Sequence, residues 1–213
     1  MTPDERGRDP VGLESLFVTP LVRIEWPDAE PLNRHLAELI QAEARQGEDG
    51  GYRYSNVGGW HSRVGYEAHP DEGMQLLMAR FRGIARQVTA RLAGGDAGED
   101  AYACELSAWA NVNHAGDYNL PHNHHCTWAG VYYVQVPAAP GADRRAGALE
   151  LLDPRPAATM SPTPGVDHRC FVSPRPGLML LFPGWVMHMV HPFTGAGERI
   201  SIACNALFPG LRA

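Results

Sequence analysis

Two groups of histidines, far apart in the chain, are the residues best able to do chemistry. His122 and His124 stand in the segment Pro121–His125, and His188 follows an apolar run much further along. Alternate side chains of an extended segment share a face, so we expect His122 and His124 to point the same way and His125 to point away. A His-x-His pair offers two neighbouring nitrogens to a metal ion, and His188 is the natural third ligand. Three ligands on one face leave the other open for substrate and oxygen, as non-haem iron oxygenases require.

An arginine and a hydroxyl follow shortly after His188. Arg199, Ser201, Ala203 and Asn205 alternate along a predicted strand and therefore share one face. An arginine beside a hydroxyl inside a barrel can hold a carboxylate through two parallel hydrogen bonds. Because a buried arginine without a partner is costly, this position predicts an anionic ligand.

The composition excludes several other functions. All 18 basic residues of this 213-residue chain are arginine, which rules out a Schiff-base lysine, a Walker-type phosphate lysine and a lysine general base. The formal net charge of −6 argues against general nucleic-acid binding, which usually needs a basic face. No window approaches the length of apolar chain that spans a membrane, so we expect no membrane association.

The four cysteines are isolated, at positions 104, 126, 170 and 204, and form no Cys-x-x-Cys motif. Isolated cysteines argue against a zinc ribbon or a thioredoxin-type redox pair. We expect a cytoplasmic protein with reduced thiols, and we expect Cys126 to be a buried apolar cysteine.

The N-terminal part of the chain is expected to form elements that pack on the outside of the unit that holds this site. Its pattern predicts a strand over Leu16–Ile24, a helix over about 30–46, a long Gly-rich loop over 47–69, and a second helix that begins near Pro70. The second helix carries one apolar stripe, from Met74 to Leu92, which is typical of a helix packed on a core.

From about residue 101 to 208 the pattern changes to short strands separated by Gly, Pro and Asp turns. Such strands indicate a sandwich, a jelly roll or a barrel, with the two helices packed on its outside. We expect a single domain over 1–213, made of a loose arm (1–12), an N-terminal part (13–100) and a β core (101–208). The predicted strands are Ala103–Asn113, Thr127–Pro137, Ala148–Leu152, Phe171–Val172, Leu178–Phe182, Met187–Val190 and Ile200–Leu207.

The order of the motifs resembles a known family. A His-x-acid pair on one strand, a distal His, and Arg-x-Ser about ten residues later is the layout of the iron(II)/2-oxoglutarate-dependent oxygenases. The chain resembles more closely a bacterial subfamily of these enzymes whose substrate is unassigned, over about residues 16–208. The stretches that carry this closer resemblance are Leu16–Pro20, Gly58–Ser62, Trp109–Asn113 with Gly116–Asn119, Gly130–Val134, Leu181–Trp185 with His188, and Arg199–Ile202 with Asn205.

The resemblance implies a mainly β fold, the double-stranded β-helix or jelly roll, with two N-terminal helices on its outside. It also implies an iron(II)/2-oxoglutarate-dependent dioxygenase that hydroxylates a substrate, with Fe(II) as cofactor and 2-oxoglutarate as co-substrate. His122 and His188 would be the iron histidines, and His124 stands where the superfamily usually has Asp or Glu. An imidazole there leaves the metal centre one unit more positive, which should attract the 2-oxoglutarate dianion more strongly.

The resemblance also implies which residues bind 2-oxoglutarate. Arg199, helped by Ser201, would hold the distal carboxylate. Tyr133, in the Tyr-Tyr strand, and Asn111, one strand upstream of His122, are further candidates for the same carboxylate.

Two other functions stay open at this point. One is a cupin-like three-histidine metalloenzyme that holds zinc, nickel or iron and does not use 2-oxoglutarate. The other is a non-catalytic metal- or ligand-binding protein, for which His124 in the acid position is the best argument. The substrate would be a small molecule or a peptide, with the loops 47–69 and 137–147 at the mouth of the site. The amphipathic helices could cover the barrel or build a homodimer.

Several aromatic residues and three histidines are expected outside the metal centre. We expect Trp109, Trp128 and Trp185 to pack inside the barrel, and Trp60 to be able to cover the mouth of the site. His61 and His114 are candidate pocket residues. His191 lies three residues after His188, so on a strand it should face away and be exposed.

Overall fold

The structure is a computed structural model, and the predicted loose arm lies outside the residues that it describes. Those residues are 16–47, 51–94, 103–138, 145–155, 160, 163–165 and 167–211. They contain two long helices, α1 and α2, and eleven strands, β1 to β11. The helices are Ala29–Gln46 and Glu72–Leu92; the strands are Val22–Glu25, Asn56–Val57, Trp60–His61, Glu105–Asn113, Tyr118–His122, Trp128–Gln135, Leu149–Leu152, Arg169–Val172, Leu178–Pro183, His188–Val190 and Arg199–Leu207.

The strands form two antiparallel sheets. The larger has the order β1-β9-β6-β11-β4-β3, and the smaller has the order β2-β5-β10-β7-β8. Strands that are neighbours in space are mostly distant in sequence, as in a jelly roll, where successive strands cross between two sheets. The predicted mainly β jelly roll with two flanking helices is confirmed.

The two faces of strand β6 explain why the helices lie on one side and a cavity on the other. Trp128 and Tyr132 point into the core that the larger sheet shares with the helices, whereas Tyr133 belongs to a second core between the sheets. Neighbouring residues of a strand point to opposite faces, so the Tyr-Tyr pair serves both layers. The Tyr132 hydroxyl donates to Asn33 Oδ1 of α1 at 2.6 Å, and Trp128 Nε1 donates to Thr89 Oγ1 of α2 at 2.9 Å.

The first predicted strand is shorter than expected. Only Val22–Glu25 pairs, with β9, whereas residues 16–20 have no regular structure. Pro20 lacks a backbone N–H, and the side chain of Phe17 is largely exposed, so neither supports strand pairing there. Neither described helix has the length and apolar character that crossing a membrane requires.

The predicted loop 47–69 is also more ordered than expected. Its described part contains β2, β3 and a 3-10 turn over Tyr66–Ala68. Strands of two residues are too short to give an alternating pattern. Strand β5, Tyr118–His122, was not predicted either, because Asn119 and Pro121 are poor strand formers.

The buried contact between Trp128 and Thr89 gives a test of helix docking. Replacing Thr89 with Val keeps the shape but leaves the indole N–H without an acceptor, so the free energy of unfolding should fall by about 1–3 kcal/mol. Thr89→Ser, which keeps the hydroxyl, is the matched control. Urea unfolding followed by circular dichroism measures both, and an equal loss in the two variants would contradict the proposed contact.

Candidate metal centre and its cavity

Strand pairing brings the predicted histidines together. His122 ends β5 and His188 begins β10, and the two are direct partners in the antiparallel register. His124 lies just beyond β5, where its backbone N–H donates to the Gly184 carbonyl at 2.8 Å. The ring centroids of His122 and His188 are 4.3 Å apart, and that of His124 lies 5.1 Å from the first and 5.2 Å from the second. One nitrogen from each ring lies within 4.8 Å of the others, a spacing at which the three could share a metal ion.

Backbone carbonyls fix the orientation of two of these rings. Nδ1 of His122 lies 2.6 Å from the Leu120 carbonyl, and Nδ1 of His188 lies 2.9 Å from the Val186 carbonyl. A carbonyl can only accept, so each Nδ1 carries the proton and each Nε2 keeps a lone pair. Metal-binding histidines are commonly held by such a hydrogen bond from the ring nitrogen that does not face the metal. The Ser55 hydroxyl lies 3.3 Å from His122 Nε2 and donates to it, so a metal ion would replace this contact.

Burial keeps all three imidazoles neutral. It lowers the pKa of His122, and it lowers the pKa of His124 to about 4 and that of His188 to about 3, with a smaller contribution from the neighbouring histidines. Only the neutral imidazole can bind a metal ion. The three side chains are therefore in the state that coordination needs at neutral pH.

No carboxylate joins the three histidines within the described part of the chain. Asp117 accepts from the backbone N–H of His114 at 2.6 Å, and Asp153 accepts from Arg155. The two carboxylates near the predicted site are thus engaged elsewhere, and the candidate ligand set is three imidazoles.

The larger sheet supplies the opposite wall of the cavity, which has a volume of about 390 Å³. Its inward side chains form rows across β3, β4, β11 and β6. One row is His61, Asn111, Ser201 and Tyr133, in which each residue pairs with the next in the strand register. All four line the cavity together with the histidine triad.

Arg199 lies in the next row and is buried, with 2% of its surface exposed. Its Nη1 donates to Asn113 Oδ1 at 3.1 Å and more weakly to Ser201 Oγ at 3.4 Å, and its Cζ lies 5.1 Å from the centre of the Tyr133 ring. Its Nε is buried without a partner, and no described acidic residue forms an ion pair with it. Burial lowers the pKa of this guanidinium. A cationic group held this way fits an incoming carboxylate.

The backbone next to Arg199 leaves little space for other side chains. Gly147 has φ +63°, and a Cβ there would lie 3.2 Å from both Cδ and Nε of Arg199. Glycine at this position allows the chain to turn close against the guanidinium. The space around the charged Arg199 side chain is therefore also restricted in shape.

The surroundings predicted for residues outside the metal centre agree with the structure only in part. Trp128 is buried as expected, but Trp185 is 51% exposed and Trp109 lines the cavity instead of packing only the core. His191 is not exposed, because its Nε2 lies 2.6 Å from the buried carboxylate of Glu150.

The surroundings of Trp60 and Cys126 also differ from those predicted. Trp60 packs against the core shared with the helices and does not line the cavity. Cys126 is half-buried, its Sγ lies 3.5 Å from Asn205 Oδ1, and burial raises the pKa of its thiol to about 12. A thiol held in this state is mostly protonated and unreactive.

The sequence did not predict Trp109 and Asn113 in the binding wall, and it gave His61 only as a candidate pocket residue. Alternation along β4 could have found the first two, because both lie two residues from Asn111. His61 lies on a two-residue strand, whose pairing partner is not visible in the sequence.

Comparison with known proteins agrees with this architecture. Residues 107–205, most of the β core and somewhat less than half of the chain, match the model of the family described as "Putative 2OG-Fe(II) oxygenase". The match spans the triad, Arg199 and Ser201. It confirms the resemblance to the iron(II)/2-oxoglutarate-dependent oxygenases that the motifs indicate. A search of curated proteins found no match.

Solved structures share the fold at low sequence identity. A Pseudomonas putida prolyl-4-hydroxylase is 16% identical with a TM-score of 0.60, over 89% of this chain and 93% of its own. The non-heme alpha ketoglutarate dependent epimerase SnoN from nogalamycin biosynthesis is 14% identical with a TM-score of 0.60, over 88% and 77%. HygX from Streptomyces hygroscopicus, solved with nickel and 2-oxoglutarate bound, is 12% identical with a TM-score of 0.53, over 91% and 84%.

The lowered pKa values predict how stability depends on pH. Between pH 7 and 5 the unfolded imidazoles, with pKa near 6.5, take up protons that the folded triad does not, so the free energy of unfolding of the metal-free protein should fall with falling pH. His188→Asn should reduce this slope, whereas His125→Ala, at an exposed position, should leave it unchanged. Urea midpoints across this pH range measure it, and equal slopes in His188→Asn and the parent would contradict the burial of a neutral triad.

Proposed function

We propose that the protein is an iron(II)/2-oxoglutarate-dependent dioxygenase that hydroxylates its substrate. One observation carries this proposal: a single cavity has three neutral imidazoles on one wall and, on the other, a buried guanidinium without an acidic partner among the described residues. The triad suits a divalent metal, and the guanidinium suits the carboxylate of a ligand that reaches both.

The residues divide between metal and co-substrate. His122, His124 and His188 would hold Fe(II) through nitrogen atoms. Arg199 and Ser201 would hold the distal carboxylate of 2-oxoglutarate, and the further candidates Tyr133 and Asn111 line the same wall. Bound together, Fe(II) and 2-oxoglutarate supply oxygen activation coupled to decarboxylation of the co-substrate to succinate.

The protein's own contribution is orientation and exclusion of water. Phe182 packs edge-on against the His188 ring, with centroids 4.8 Å apart at 70°, and fixes the plane of that imidazole. Leu149, Val190 and Ala129 add apolar surface around the triad. An apolar surrounding strengthens the electrostatic interactions of the site and keeps competing water away.

The same ligand set also favours one alternative, a cupin-like three-histidine enzyme without 2-oxoglutarate. Arg199 separates the two functions, because that alternative gives no reason to bury a guanidinium with a spare donor. A small molecule or a peptide is the proposed substrate. Names among the structural neighbours point both ways, since they include a prolyl-4-hydroxylase and an epimerase of nogalamycin biosynthesis.

Anaerobic titration tests the proposal directly. Fe(II) and 2-oxoglutarate added together should give a weak visible charge-transfer band that neither gives alone. Arg199→Gln should leave Fe(II) affinity unchanged but weaken 2-oxoglutarate by about 2–5 kcal/mol, thirtyfold or more, because the carboxylate loses its charged partner. Metal binding without the band, or equal 2-oxoglutarate affinity in Arg199→Gln, would favour the cupin-like alternative.

The ligand set is tested by a matched pair of histidine variants. His124→Ala should lower Fe(II) affinity by more than the roughly 10–100-fold that loss of an outer-shell partner costs. His125→Ala, one residue away but exposed, should not change it. Unchanged metal binding in His124→Ala would remove His124 from the ligand set and favour a non-catalytic binding protein.

The charge of the centre gives a further prediction. His124→Asp restores the usual acidic ligand and makes the metal site one unit less positive. The affinity for the 2-oxoglutarate dianion should then fall by about 1–4 kcal/mol, fivefold or more, because Coulomb attraction is lost. Isothermal titration of the Ni(II)-loaded protein with 2-oxoglutarate measures this change, and an equal or higher affinity would contradict it.

We also propose a single domain, a cytoplasmic location and, as one option, a homodimer. Strand β1 pairs with β9 and β3 with β4, so the N-terminal part shares sheets with the β core. The four cysteines are unpaired, which is typical of a reducing compartment.

A further inference from the structure

An aromatic wall formed by Tyr54, His61 and Trp109 lies beside the triad. None of these three side chains is assigned to the binding of metal or 2-oxoglutarate. We propose that this wall is the substrate subsite, and that it recognises an uncharged, hydrogen-bond-donating group of the substrate through His61 Nε2, beside Trp109. This inference rests on the proposed function, because it assigns the part of the cavity that the co-substrate leaves free.

The first argument is the charge of the cavity. No Asp or Glu is among the described residues that line it, and Arg199 is its one formally charged side chain. Fe(II) and the 2-oxoglutarate dianion together add no net charge, so the loaded cavity keeps the positive charge of Arg199. A cationic group would therefore lose its hydration and gain no anionic partner. The cavity is suited to a substrate that is neutral where it approaches the triad.

The second argument is the fixed orientation of His61. Its Nδ1 lies 2.6 Å from the Ser62 carbonyl, which can only accept, so the proton is on Nδ1 and Nε2 keeps its lone pair. No hydrogen bond from a described residue reaches Nε2, and His61 lines the cavity, so this nitrogen is accessible to a ligand there. Burial, with 5% of the residue exposed, lowers the pKa of this imidazole, so it remains a neutral acceptor. An accessible acceptor that the protein leaves unpaired favours a ligand that brings a donor.

The third argument is the position of His61 relative to the reacting centre. Its ring stacks on Trp109 with centroids 5.7 Å apart at 14°, and Trp109 lies 5.8 Å from the ring of His124. On the outer side the ring of Tyr54 lies 5.1 Å from His61, and Tyr54 is 66% exposed. Tyr54, His61 and Trp109 form a continuous wall that runs from the solvent to His124 of the triad.

A structural role does not explain the acceptor. The backbone of His61 closes the turn by accepting from the Tyr52 N–H at 2.9 Å, and Nδ1 anchors the ring to Ser62. Neither contact uses Nε2. Replacing the ring while keeping its size should therefore affect ligand selection more than folding.

Three matched probes test the subsite: benzamide, acetophenone and benzamidinium. Benzamide is neutral and carries an N–H donor, acetophenone is neutral without one, and benzamidinium carries donors with a positive charge. Their affinities are measured by ligand-observed NMR with the metal-free protein and with the Ni(II)–2-oxoglutarate complex at pH 7.5. Benzamide should bind best, about threefold to tenfold more tightly than acetophenone, as expected for one hydrogen bond. Benzamidinium should be the weakest with both forms of the protein, because no described acidic residue lines the cavity.

Two variants test whether the order of the probe affinities depends on His61. His61→Phe keeps a ring against Trp109 but removes the acceptor, so benzamide and acetophenone should bind equally. His61→Gln offers a carbonyl acceptor and should restore part of the preference for benzamide. Thermal unfolding and Ni(II) titration of both variants show whether folding and the triad are intact.

The outcomes separate the subsite from the proposed activity. Benzamidinium binding as well as benzamide, no binding by any probe, or an unchanged benzamide preference in a folded His61→Phe would each overturn the subsite. If Ni(II) binds but 2-oxoglutarate does not, while the probe order holds, the proposed activity fails and the subsite stands. If 2-oxoglutarate binds and the probe order is absent, the subsite fails alone.

Discussion

The antiparallel pairing of His122 with His188 is the constraint on which the site depends. The two residues come from strands far apart in the chain, and the β5–β10 register places them opposite each other. Each Nδ1 is taken by a carbonyl two residues earlier, so both rings present Nε2. A shift of one residue in either strand would turn one imidazole to the other face of the sheet. The geometry of the centre is thus a consequence of strand register.

The site also depends on the larger sheet, which presents a polar face to the cavity and an apolar face to the helices. In β6, Tyr132 bonds to a helix while Tyr133 lies beneath the buried guanidinium of Arg199. Packing of the helices buries the other face of the sheet. The free energy gained there offsets the cost of holding a buried guanidinium on the cavity face.

Much of this arrangement could be predicted from the sequence, and the remainder has clear physical reasons. Alternation predicted the strand of Arg199 and Ser201, because nine residues give a readable pattern. The spacing of His122 and His124 indicated a shared site. The position of His61 could not be predicted, because β3 has two residues and its partner is set by tertiary pairing. His191 was expected to be exposed, and only the structure shows the buried carboxylate that it meets.

The placement of His61 on a short edge strand has an evolutionary consequence. Strand β3 is attached through its pairing with β4, and the next residue, Ser62, continues this attachment by donating its N–H to the Ala110 carbonyl. The triad belongs to the other sheet. Edge segments tolerate insertion and exchange better than central strands do. The proposed substrate-binding residue and the histidine triad therefore lie on different sheets, so substitutions in this edge strand can alter substrate choice while leaving the triad in place.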